Sequence, residues 1–247
     1  MFSLLFARTF IIVGVMLLIT AGTARINKAF ETAKEMWLTI ISTFAILIAV
    51  MVFADSYPIN LVLVAAFSAV MGWEIGPTIE YYGKRFKQRK FIKNQGISLK
   101  KGESLTEEKR AEFENIINSD PHANEWHNIV FQALLGTALA VLSTAGMVFL
   151  TNINFGFLGG FLFIALIILI VMSLLNGFFF HSPLFAMVRA YLGVVIFTLY
   201  LLFDFDRLEK MANDQSWGAA IDIAINIYLD IINLFLELLQ ILAESSD

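Results

Sequence analysis

IDIAINIYLDIINLFLELLQIL, residues 221–242, is long and apolar enough to cross a bilayer, yet it carries Asp222, Asn226, Asp230, Asn233 and Glu237. An ionisable group at bilayer depth costs roughly 3 kcal/mol or more, so such residues face a bundle interior or a water path. Their spacing is ordered. Steps of 4, 4, 3 and 4 residues, at about 100° each, hold all five within an arc of roughly 80°. Ile, Leu, Phe, Tyr and Ala fill the rest of the circumference. The segment is a greasy helix with one polar stripe.

The segment just before it ends LYLLFDFDRLEK, residues 199–210, with Asp204 at its apolar end. An antiparallel hairpin of the two segments, joined by the 13 residues 206–218, brings Asp204 level with Asp222. Asp230 lies two turns, about 12 Å, deeper. Hairpin geometry alone therefore pairs Asp204 with Asp222. Two carboxyl groups held together at low dielectric cannot both ionise cheaply, so they share a proton and titrate as a unit. A change in the charge of such a pair can move helices. Asn226 and Asn233 add the neutral oxygens that a hard cation such as calcium accepts. The alternative for these amides is simple hydrogen bonding between helices.

Composition agrees with a membrane setting. The chain is 58% hydrophobic with 24 Phe and only 4 Pro, and its mean hydropathy is +0.75; soluble domains run near 45–50% apolar. A span needs about 20 predominantly apolar residues. Seven stretches qualify: Thr9–Thr23, Met36–Ala54, Ile59–Ile79, Ile129–Leu150, Phe155–Leu175, Met187–Phe205 and Ala219–Leu242. The first is short and runs into TAGTAR, so a cleaved signal peptide is its alternative reading. The chain reads as a single transmembrane domain over 1–247, with one polar loop insertion at 80–126.

That insertion opens with YYGKRFKQRKFIK. It reads as a solvated loop, or as a basic segment lying on anionic headgroups with Tyr81, Tyr82, Phe86 and Phe91 as anchors. Ser104-Leu105-Thr106-Glu107 has the form of a capping box, which predicts a surface helix over Thr106–Ile117. Glu74, in MGWEIGPTI, is either an interfacial residue or a further lining carboxylate, and Gly72, Gly76 and Pro77 weaken the helix around it. Of the 17 Lys and Arg, only Arg8, Arg207 and Lys210 fall on the side opposite the 80–126 loop. The positive-inside rule thus puts that loop in the cytoplasm.

Catalytic chemistry finds no support. Paired membrane aspartates suggest an aspartyl protease, but the Gly-x-Gly-Asp element of those enzymes is missing. Ser143 sits in LSTAG rather than Gly-x-Ser-x-Gly, and His122, His127 and His181 all fall at loops or span ends. With no Cys, thiol nucleophiles and thiolate metal sites are excluded. The expectation is a non-enzyme with no cofactor and no dedicated metal site, beyond transient calcium. Nothing resembles a nucleic-acid surface.

LYLLFD at 199–204 and AINIYLDIINLFLELLQIL at 224–242 resemble the last two spans of the Bax inhibitor-1 family, which includes YccA-like bacterial proteins. INLVLVAAFSAVMGWEIGP at 59–77 and IVFQALLGTALAVL at 129–142 resemble its third and fourth. The resemblance implies an all-α polytopic fold of seven transmembrane helices, with two three-helix layers around a central C-terminal helix. It implies a pH-sensitive calcium leak gated by a carboxylate pair, and it maps that pair onto Asp204 and Asp230 rather than Asp222. The possible cation path then takes in Asp222, Asn226, Asn233, Glu237 and Glu74. The alternative function is a non-conducting regulator that binds a membrane protease or cell-death factor. Expected partners are the lipid bilayer, calcium ions, protons and a membrane protein; the expected location is a bacterial inner membrane. Three departures stand out. Asp206 is a second acid, the second span ends Val52-Phe53-Ala54-Asp55 without the basic residue some members carry, and the 80–126 loop is longer. The resemblance also implies a cytoplasmic N-terminus, opposite to the charge count.

Overall fold

A computed structural model of the chain describes residues 4–96, 106–109, 112–113, 115, 122–151 and 153–245. Seven helices there are long and apolar enough to cross a membrane. They are α1 (Leu4–Ile26), α2 (Ala33–Val52), α3 (Ile59–Asn94), α4 (Ala123–Leu150), α5 (Leu158–Leu175), α6 (Pro183–Lys210) and α7 (Trp217–Ser245). A π-helical turn over Asn176–Phe180 closes α5. Local chemistry sets several ends. Thr32 Oγ1 accepts from Glu35 N at 3.1 Å to start α2, and Ser182 followed by Pro183 starts α6.

Helices α1, α2 and α3 pack together, as do α4, α5 and α6, and α7 lies between the two groups against α1, α3, α4 and α6. Of the most apolar window of α7, 67% is buried, against 6% for α2. Lipid solvates α2; protein solvates α7. A helix surrounded by protein can carry a polar stripe, because each polar group can find a partner there. On the apolar side of α7, Tyr228 is fully buried. Its hydroxyl meets Thr20 Oγ1 at 2.7 Å, and Thr20 donates onward to Ser68 O at 3.0 Å.

The Gly72–Pro77 region stays helical, contrary to the weakness its sequence suggests. Proline lacks the N–H that would bond the carbonyl four residues back. That carbonyl, Trp73 O, accepts instead from Asn27 Nδ2 at 2.9 Å. The glycines let the end of α1 come this close: a Cβ on Gly76 would lie 2.0 Å from Asn27 O, and one on Gly72 would lie 2.4 Å from Thr20 O.

The largest correction concerns the polar insertion. Its first part, Glu80–Asn94, is no loop but the continuation of α3. Hydropathy reports lipid exposure, whereas Lys, Arg and Gln are good helix formers, and an apolar face continues past Ile79. Phe86 and Phe91 are buried, and Tyr82 is half-buried, so three of the four expected lipid anchors face protein; Tyr81 alone is exposed. Phe86 packs on Trp126, ring centroids 6.1 Å apart, and Phe91 on Phe113 at 5.5 Å. Residues 107–109, 112, 113 and 115 are helical. Their cap is Thr106, whose Oγ1 accepts from Lys109 N at 3.4 Å. Ser104, Leu105, Ile116 and Ile117 lie outside the described residues.

Candidate functional site

The site is built where α6 and α7 cross. Asp204 and Asp230 are 3% and 6% exposed, and their carboxyl groups lie close enough to act on each other directly. A direct bond between two carboxyl groups needs a proton on one of them. No donor from another described residue reaches Asp230 Oδ2. The surroundings are greasy: Phe205 and Ile232 are buried, and Phe203 and Ile231 half-buried. Phe205 itself packs on Phe149 at 5.7 Å and on Phe10 at 6.2 Å. Two acids are thus held together in an apolar setting, with no base among the described residues bonded to either.

Asp222 is not part of this pair. It forms an ion pair with Arg207, and both side chains are more than a third exposed. Hairpin geometry alone therefore selects the wrong partner for Asp204. Arg207 supplies the reason: its guanidinium sits one turn beyond Asp204 and takes the carboxylate nearest the loop. Asp206, the extra acid, is buried and bonds Lys210 Nζ at 2.6 Å. At this end of the hairpin Asp206 and Asp222 each have a cation, unlike the aspartate pair. Asp55 takes a further role there, accepting from Gly218 N at 2.8 Å, where a carboxylate complements the positive N-terminus of α7.

The remaining stripe residues part company. Asn226 and Asn233 are half-buried, two amides on the line between the acids. Glu74 is half-buried on α3 and accepts from Thr43 Oγ1 of α2 at 2.8 Å, so it faces the neighbouring helix rather than the aspartate pair. Glu237 lies at the far end of the stripe, locked to Arg189 of α6 by two bonds of 2.6 and 2.8 Å. Arg189 Nη2 also donates to Gln240 Oε1 at 2.7 Å, and Tyr82 of α3 donates to the same oxygen at 2.9 Å. In the charge count, Arg189 is one of the basic residues on the side of the 80–126 loop. The missed signal was that it is the basic residue set inside the apolar sixth span, which demands an acid at matching depth.

A family model described as "Inhibitor of apoptosis-promoting Bax1" matches residues 3–97 and 123–247. Protein LIFEGUARD 4 of Arabidopsis thaliana is 39% identical over 116 residues, 46% of this chain and 46% of that protein. An uncharacterised protein of Helicobacter pylori strain J99 is 36% identical over 118 residues, 48% of this chain and 49% of its own length. The Golgi anti-apoptotic protein of Vaccinia virus strain Lister is 35% identical over 119 residues, 48% of each chain. The chain thus spans about half the length of the curated relatives it matches.

Proposed function

The chain belongs to the Bax inhibitor-1 family, and from that premise we propose that it is a proton-regulated cation leak, calcium being the physiological ion. The observation that carries this reading is the pair of buried carboxyls held against each other, Asp204 and Asp230, on a central helix that also carries two amides and two further acids in line. A helix used only for docking has no need of acids where the protein is driest. Protonation changes the charge between α6 and α7, and with it the attraction of a cation to the stripe and the separation of the two helices. The chain works without catalytic chemistry and without a cofactor, in a bacterial inner membrane.

The second reading is a non-conducting regulator of a membrane protease or cell-death factor. It is favoured by a relative named for anti-apoptotic action. Reconstitution separates the two. Purified protein in liposomes loaded with a calcium dye should pass calcium faster than protein-free vesicles, at a rate that changes between mildly acidic and mildly alkaline pH. Vesicles as tight as protein-free controls at every pH leave the regulator.

A further inference from the structure

The stripe of α7 does not end at the aspartate pair. Glu237 follows Asp230 by 7 residues, two turns and about 10 Å further along the same side of the helix. Its carboxylate is 8% exposed, and the Arg189 guanidinium that holds it is 18% exposed. Both carboxylate oxygens are taken by one guanidinium, the fork geometry in which Arg binds a carboxylate most tightly. A third bond from the same group ends on Gln240 Oε1. Gln240 is itself held by Tyr82 from α3 and by Ala186 O of α6, to which its Nε2 donates at 3.3 Å. Gly193 makes room for the acid: a Cβ there would come within 2.8 Å of the Glu237 carboxyl.

Without the guanidinium, three oxygens remain turned toward the place it occupies: the two of Glu237 and Oε1 of Gln240. Tyr82 and Ala186 hold Gln240 in position from behind. Hard cations such as calcium take 6–8 oxygens of these kinds, waters included. We infer that Glu237 and Gln240 form a cation site, completed by water, that the chain fills with its own Arg189 side chain, closing the stripe at the end away from the aspartate pair. A leaking cation must displace the guanidinium or be stopped by it. The closing role rests on the leak reading; the site itself does not.

The test uses the full chain in detergent and reads its unfolding temperature against added calcium chloride. Arg189→Ala empties the site and leaves its oxygens in place. It should gain a calcium-dependent rise over the wild type of roughly 3 °C at about tenfold over the dissociation constant. Arg189→Ala/Glu237→Ala should show no such gain. Low, non-denaturing guanidinium should abolish the gain in Arg189→Ala by refilling the site. A calcium response in Arg189→Ala equal to that of the wild type overturns the proposal. Should that variant not fold, Arg189→Gln removes the charge and keeps much of the bulk; a gain there supports the site and its absence overturns it. In dye-loaded vesicles Arg189→Ala should leak several-fold faster than the wild type. If neither protein leaks while the calcium gain persists, the site stands and the leak reading falls.

Discussion

Two buried acids of the polar stripe on α7 solve the same problem in opposite ways. Asp230 is buried against another acid, Asp204; Glu237, two turns away, is buried against a guanidinium that bonds both its oxygens. An acid clamped by Arg would forfeit two charge-assisted bonds on taking up a proton. An acid facing an acid keeps a proton between them, and that proton can come and go. Burial alone therefore does not mark a sensor. The identity of the partner decides whether a buried carboxylate is a fixed charge or a movable one.

The largest effect that can break this contrast is on stability. Arg189→Met strands the Glu237 charge and should cost about 3–5 kcal/mol, whereas Arg189→Met/Glu237→Met should recover most of it, since a buried pair is often replaceable by apolar residues. Thermal unfolding in detergent measures both. A single variant as stable as the double one would mean that Glu237 is not a fixed charge.

Next comes the pH response. A coupling between protonation and opening of typical size changes flux about fivefold or more across the titration. Asp230→Asn keeps the shape and removes the shared proton, so the pH dependence of vesicle flux should flatten, as it should for Asp204→Asn. Should both variants keep the wild-type profile, the sensor lies elsewhere, with Asp222 and Glu74 the next residues to change.

Two smaller effects sharpen the picture at either end. Tyr82→Phe removes one donor from the Gln240 oxygen and should cost about 1 kcal/mol in chemical denaturation. Asp222→Asn breaks a half-exposed ion pair with Arg207 and should cost between about 0 and 1 kcal/mol, less still at high salt. A loss from Asp222→Asn larger than that from Tyr82→Phe would shift the structural weight from the α3 contact to the hairpin end.

Seven spans were legible because hydropathy and a span length near 20 residues are what a bilayer selects. The limits of the spans were less legible, and α3 shows why. Past Ile79 the helix leaves the apolar zone, so composition turns charged while the backbone keeps the same hydrogen bonds. Tyr82 and Phe86 sit four apart after Ile79, a helical repeat that marks the continuing buried face. The stripe of α7 was legible from spacing alone. The partners of its acids were not, because they depend on how far Arg189 and Arg207 reach along a neighbouring helix. Depth counting in residues cannot resolve a side chain that spans more than a turn.

Helix α3 carries a mechanical consequence. Its 36 residues make a rod about 54 Å long, against hydrocarbon about 30 Å thick. Roughly 24 Å of it stands in the headgroups and beyond as a lever. Arg89 on the lever bonds Ala243 O, the carbonyl of the last turns of α7, and Arg85 pairs with Glu244 at 3.5 Å. A sideways push on the outer end of α3 is therefore delivered to the tip of the central helix, without first deforming the core around the aspartates.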